Sequence, residues 1–258
     1  MTKQEKINTI WLSDIHLGNP NCQYKKLYNF LKSLERKDGS YQVKKVFLVG
    51  DIIDMTRFNH RIFWSQHRMV IKKLFRMADK GVEIVYIRGN HDHFLEEEFL
   101  KNSSPYGVNF NGITIKYNDI HVTKKNEKFF ILHGDEFDGF FKAYKIFYLL
   151  GSLSYASIII FNRIQNKIRR LLGFKEWSLA QWIKLKVKRS IQFINKFEDL
   201  VVDSAKSKGV HGVICGHIHY AEDKMIDDVR YLNCGCWVEF CSYLYEDKEG
   251  NIKLAYYD

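Results

Sequence analysis

The chain has 258 residues, 46% of them hydrophobic and 15% aromatic, with only 2 prolines and no repeat of solenoid length, which excludes a disordered or repeat-built protein and leaves enough apolar material for a large core. Its net charge of +10 is local: residues 140–208 carry fourteen Lys/Arg against four Asp/Glu, while the remainder is balanced at 26 of each. The 5 cysteines are odd in number and sit in apolar surroundings, which argues against a disulfide framework, and Cys234 and Cys236 lack a second pair at the spacing of structural zinc.

The opening MTKQEKINTIWLSD enters a strand pattern almost at once, so no signal peptide is expected and the cytoplasm is the expected compartment. INTIWLS (7–13), VKKVFLVG (43–50) and VEIVYIRG (82–89) are short β-branched or aromatic runs, each ending in a polar cluster, and read as buried strands. Between them, residues 22–39 and 63–81 carry apolar side chains at helical spacing, with Gly39 and Gly81 placed to stop the helices. This β-α-β-α-β alternation predicts a parallel sheet with right-handed crossovers and a site beyond the carboxyl ends of its strands. ITIKY (113–117), DIHVT (119–123) and KFFILHG (128–134) form a strand-rich section, GVHGVICG (209–216) is another buried strand, and the tail from Val229 reads as hairpins. The expected architecture is α/β with a mixed, two-sheet core in one domain, 1–258, interrupted by a helical insertion at 136–208.

The strand ends carry the chemistry. They deliver Asp14 and His16; Asp51 and Asp54; Asn90, His91 and Asp92; His133 and Asp135; and His217 and His219. Any one of these clusters alone reads as a turn, a cap or a hydrogen-bonded core histidine; five together at one edge of an α/β fold do not. Oxygen and imidazole donors without thiolates suit Mn, Fe, Zn or Mg, and converging carboxylates repel one another unless a cation neutralises them. The donors suffice for two ions.

The ordered set DIH, GDIID, GNHD, HGD and GHIH resembles the signature of the calcineurin-like metallophosphoesterases over almost the whole chain. The resemblance implies a four-layer α-β-β-α sandwich holding two divalent metals, with manganese the expected metal and iron, zinc or magnesium as alternatives. It places Asp14, His16 and His219 on the first ion, Asn90, His133 and His217 on the second, and Asp51 between them. Hydroxide would attack phosphorus in line, with no covalent enzyme intermediate. His91 would serve the leaving oxygen, with Asp54 orienting its ring. Asp92 and Asp135 are left as groups that orient ligand histidines or as loop caps.

The insertion bears on the substrate. Residues 146–161, IFYLLGSLSYASIIIF, carry no charge but are short for a membrane span, so a self-packed or amphipathic helix is expected. A second helix at 178–206 sets Leu179, Trp182, Ile183, Val187, Ile191, Ile194, Phe197 and Val201 on one stripe, with Lys184, Lys186, Lys188 and Arg189 interspersed. Such a hairpin either covers a sheet edge or rests on an anionic leaflet and admits acyl chains. NRIQNKIRRLLG, SLAQWIKLKVK and YLNCGCWVE resemble the bacterial UDP-2,3-diacylglucosamine hydrolases and their relatives. That resemblance implies a nucleotide-lipid substrate, a lid that receives its acyl chains, contacts from Lys184, Lys188 and Arg189, and a place at the inner membrane surface. The best-known branch carries Arg where this chain has His91, and Asp where it has Cys236. Two other readings stand beside it: a metal-dependent phosphodiesterase for nucleotides or nucleic acid, and a metal-binding scaffold without turnover.

Overall fold

The structure, a computed structural model, describes residues 7–56, 60–101, 106–140, 173 and 179–258. In chain order the strands are β1 (Ile7–Leu12), β2 (Lys45–Val49), β3 (Glu83–Ile87), β4 (Val108–Phe110), β5 (Ile113–Lys116), β6 (Asp119–Val122), β7 (Lys128–Ile131), β8 (Gly212–Cys215), β9 (Glu222–Ile226), β10 (Val229–Asn233), β11 (Ser242–Asp247) and β12 (Ile252–Tyr256). The main helices are α1 (Tyr24–Ser33), α2 (Arg68–Asp79) and α3 (Leu179–Ser207). The chain divides into two compact units, Met1–Glu136 with Val201–Asp258, and Phe137–Leu200.

Two sheets make up the first unit, in the orders β12-β11-β1-β2-β3-β5-β4 and β6-β7-β8-β10-β9. β1, β2, β3 and β5 run parallel, as do β7, β8 and β10, and antiparallel strands close the edges. β1 shows why the sheets stack. Alternate side chains point to opposite faces, so Ile10 and Leu12 meet the helix layer of Leu27, Phe30, Leu31, Val70, Leu74 and Met77, while Trp11 joins Phe47, Phe129, Ile131, Ile214 and Leu232 between the sheets. Apolar residues on both faces make these strands read as continuous hydrophobic runs. On the second sheet, Lys208 Nζ lies 4.5 Å from the Phe130 ring centroid and Lys206 pairs with Asp227 at 2.6 Å. The fold is therefore the expected α/β arrangement of two sheets with helices.

Local details differ from the sequence expectation. α1 ends at Ser33, six residues before Gly39, because Glu35 and Tyr41 form a β-bridge and the chain turns back on itself there. Gly81 does stop its helix: at φ 83° its N–H reaches Ala78 O at 2.9 Å and Val82 N–H reaches Met77 O at 3.0 Å, the paired bonds of a left-handed helix end. β4 and β9 are additional short edge strands with mostly exposed or half-buried residues, so neither shows an apolar run. In the second unit, Phe137 meets Phe197 edge-on at 6.3 Å. Residues 146–161 lie outside the described residues, as do the side chains of Lys184, Lys186, Lys188 and Arg189 on α3. Among the described residues no helix is long and apolar enough to cross a membrane.

One buried polar knot ties β1, β6 and β11 together. The Glu246 carboxylate accepts bonds from Thr9 Oγ1 (3.0 Å), Asn8 Nδ2 (3.3 Å), His121 Nε2 (2.9 Å) and Lys124 N (3.0 Å). Burial would raise its pKa from 4.5, but the donors outweigh burial and bring it down to about 2. A folded-state value below the unfolded one stabilises the fold above pH 4.5, and that contribution fades as pH falls towards 2. Glu246→Gln is therefore expected to cost on the order of 2 kcal/mol at pH 7 and much less near pH 2, read by urea unfolding at both pH values. An equal cost at both would contradict the assignment.

Candidate metal centre

The loops that follow the strands adopt a backbone that ordinary residues avoid. Asp14 (φ 50°), His16 (56°), Asp51 (55°), His217 (70°) and His219 (57°) all lie in the left-handed region. Non-glycine residues there are uncommon and cluster at functional sites, where surrounding bonds hold them. Here those bonds are Asp14 N to Gly50 O (3.1 Å), His16 N to Asp51 O (2.9 Å), Leu17 N to Ile52 O (2.8 Å) and His217 N to Asp14 Oδ2 (2.9 Å). The glycines of the motifs serve close approach. A Cβ at Gly216 would collide with Ser13 Oγ and Asp14 Oδ2, and one at Gly89 with Asp51 Oδ1.

This backbone brings the predicted side chains into three overlapping groups: Asp14, His16 and His219; His16, Asp51 and His91; and Asp51, His133 and His217. Within each, the donor atoms lie within 4.8 Å of one another. In the first group, His16 Nε2 lies 3.2 Å from His219 Nε2, and Asp14 Oδ1 lies 3.1 Å from His219 Nε2 and 3.9 Å from His16 Nε2. A triangle with those edges has a centre about 2 Å from each corner, the length of a metal–nitrogen or metal–oxygen bond. Asp51 Oδ2 sits between the groups, 3.9 Å from His16 Nε2, 3.4 Å from His133 Nε2 and 3.9 Å from His91 Nε2. Asn90 Oδ1 is buried and has no hydrogen-bond partner among the described residues. An orphaned acceptor of this kind fits a cation. His217 and His219 fall into different groups despite their spacing, because left-handed backbone at both positions removes the strand geometry that would aim them the same way.

Outer contacts set which ring nitrogens face inward. His133 Nδ1 donates to Val49 O at 3.0 Å, which turns its Nε2 towards Asp51. Asp54 accepts from His91 Nδ1 at 2.8 Å and so orients that ring, while its other oxygen faces His16 Nδ1 at 3.4 Å. Asn19 Nδ2 (3.0 Å), Thr56 N (3.1 Å) and Thr56 Oγ1 (2.7 Å) fix Asp54 in turn. Gly18 N donates to the buried His67 at 2.8 Å, anchoring the loop that carries His16. Sequence reasoning missed Asn19, Thr56 and His67. The first two follow recognised motifs by a few residues, whereas nothing in the sequence separates His67 from a helix-face histidine.

Asp92 and Asp135 reach no ligand histidine through the bonds seen here. Asp92 accepts from Ile52 N (3.1 Å), Ile53 N (2.7 Å), Gly89 N (3.3 Å) and Tyr86 OH (2.8 Å), so it clamps the GDIID loop to the GNHD loop. Burial and then the Asp51 charge push its pKa up to about 7. Asp135 pairs with Arg88.

The site is electrostatically primed for cations. Burial would raise Asp14 and Asp51, but His219 beside Asp14 and His133 beside Asp51 hold both below the usual carboxylate range. Burial would lower His133 and His219; the same carboxylates instead push His133 up to about 10 and His219 well above its ordinary value. A cation must displace these protons, because a metal-bound imidazole nitrogen carries none. Manganese uptake at pH 7.5 is thus expected to release about two protons per chain, and affinity to climb with pH. Calorimetry in buffers of different ionisation enthalpy measures this, and uptake without proton release would contradict it.

A mixed α/β fold with carboxylates, imidazoles and an amide gathered at its strand ends defines a metal-dependent phosphoester hydrolase. The chain belongs to the calcineurin-like phosphoesterase family, whose model matches residues 7–221. Among curated proteins it is similar to the UDP-2,3-diacylglucosamine hydrolase of Porphyromonas gingivalis, 25% identical with 90% of each chain covered. It is also similar to the enzyme of that name from Psychromonas ingrahamii, 21% identical over 83% of this chain and 81% of the other.

Proposed function

We propose that the protein hydrolyses the pyrophosphate of UDP-2,3-diacylglucosamine or a related nucleotide-lipid, with Asp14, His16 and His219 holding one divalent cation, Asn90, His133 and His217 a second, and Asp51 both. The observation that carries the two-cation reading is the position of Asp51 Oδ2 within 3.9 Å of His16 and 3.4 Å of His133, which belong to different donor groups. Such cations, when bound, activate water and neutralise charge on the phosphoryl oxygens. The protein supplies the rest. His91, bonded through Nδ1 to Asp54, presents Nε2 to the site and delivers a proton to the leaving oxygen. Burial would lower the His91 pKa, but the Asp54 bond and the Asp51 charge raise it, which favours the protonated form this step needs. Asp54 stays ionised because the nearby His16 ring and the bonds from His91, Asn19 and Thr56 outweigh its burial.

The names of the relatives and the length over which they match support the nucleotide-lipid substrate. The basic excess in residues 140–208 supplies the charge for an anionic membrane surface, where the lipid half resides. The test is to load the protein with manganese and compare UDP-2,3-diacylglucosamine, simple nucleotide pyrophosphates and bis-p-nitrophenyl phosphate. Selectivity for the acylated sugar nucleotide is expected. A preference for the small diester would overturn the substrate.

A further inference from the structure

An open cavity of about 460 Å³ is lined by Pro20, Asn21, Cys22, Gln23, Val238 and Glu239. Its size falls within the roughly 300–1,000 Å³ of small-ligand sites. Two loops form it, and both are bonded to the backbone of proposed ligand residues: Asn19 N reaches His16 O at 3.0 Å, and Trp237 N reaches Asp14 O at 3.1 Å. The loops are also bonded to each other, Gln23 N to Trp237 O at 2.9 Å and Gln23 Nε2 to Val238 O at 3.4 Å. Asn19 connects the cavity wall to the chemistry: its Oδ1 accepts from Asn21 N at 3.0 Å while its Nδ2 donates to Asp54. The cavity wall is thus built into the same bonded unit as the groups around the scissile bond.

The lining decides what could enter. It contains no Lys or Arg, so it offers nothing to a second phosphate. Nor does it contain an aromatic ring or a long aliphatic side chain, so it suits neither a stacked base nor an acyl chain. It does hold two amides and a carboxylate, Asn21, Gln23 and Glu239, beside the apolar Pro20, Cys22 and Val238. The Asn21 and Glu239 side chains make no hydrogen bond among the described residues. A carboxylate accepts two O–H donors and an amide both donates and accepts, which is the complement of a ring bearing neighbouring hydroxyls.

We propose that this cavity binds the sugar ring joined to the phosphate under attack, with Glu239 and Asn21 determining specificity through its hydroxyls. The inference rests on the two-cation phosphoesterase reading above. A nucleotide-lipid presents two such rings, a ribose and a hexosamine, and the test separates them. Calorimetry on the manganese-loaded full chain measures the Kd of inorganic phosphate, UMP and glucosamine 1-phosphate for the unaltered protein, Glu239→Gln and Asn21→Ala. Both residues are exposed, so these changes spare the core. Expected is a weakening of about tenfold for one sugar phosphate in each variant, with phosphate altered less than about twofold. The sugar phosphate that weakens identifies the ring, and weakening of both means that the cavity takes either. Unchanged sugar-phosphate binding would overturn the proposal, as would parallel weakening of all three ligands, which marks a structural role. Failure of phosphate to bind the unaltered protein would instead strike the two-cation reading, and this inference with it.

Discussion

Asp51→Asn is expected to leave a folded protein that holds fewer than two divalent cations and hydrolyses phosphoesters at least about 10³-fold more slowly. The substitution keeps the shape of the side chain and removes its charge. Asp51 Oδ2 lies 3.9 Å from His16 Nε2 and 3.4 Å from His133 Nε2, donors of different groups, so losing its charge is expected to weaken both cation positions together. It also removes the partner that raises His133, so His133 should titrate closer to an ordinary imidazole. Elemental analysis paired with steady-state kinetics checks the prediction. A variant with two cations and undiminished turnover would remove Asp51 from between the groups.

His91→Asn should separate binding from chemistry. His91 lies 3.9 Å from Asp51 through Nε2, but its Nδ1 is committed to Asp54 and its ring is partly exposed, as befits a group that meets substrate. Loss of a general acid typically costs 10²- to 10⁴-fold, so kcat should fall by roughly that factor while the cation count stays at two. The loss should shrink for esters with acidic leaving groups, such as p-nitrophenol, which need little protonation. A fall in bound metal would instead assign His91 to the ligands. Because Asp54 is bonded to His91 and faces His16, Asp54→Asn should show a mixture of the two phenotypes.

The sequence reading reached furthest where chemistry and periodicity coincide. INTIWL, KVFLV and EIVYI are buried on both faces and announce themselves as strands, and the polar cluster after each marks the carboxyl edge where the structure gathers Asp14, His16, Asp51 and His91. What it missed depends on long-range contact. α1 stops early because of a bridge to Tyr41, and the short edge strands β4 and β9 lack an apolar face to reveal them. For Asp92 the sequence leaves two roles open, and bonds from Ile52, Ile53, Gly89 and Tyr86 make it a clamp between loops. His67 sits in a helix pattern and acts on a loop 49 residues away.

The most direct measurement is the metal content of catalytically active protein, taken before and after chelation. Two divalent cations per chain are predicted, with hydrolysis lost as they are removed and regained in step as manganese is returned. Full hydrolysis by protein freed of divalent cations would contradict the account.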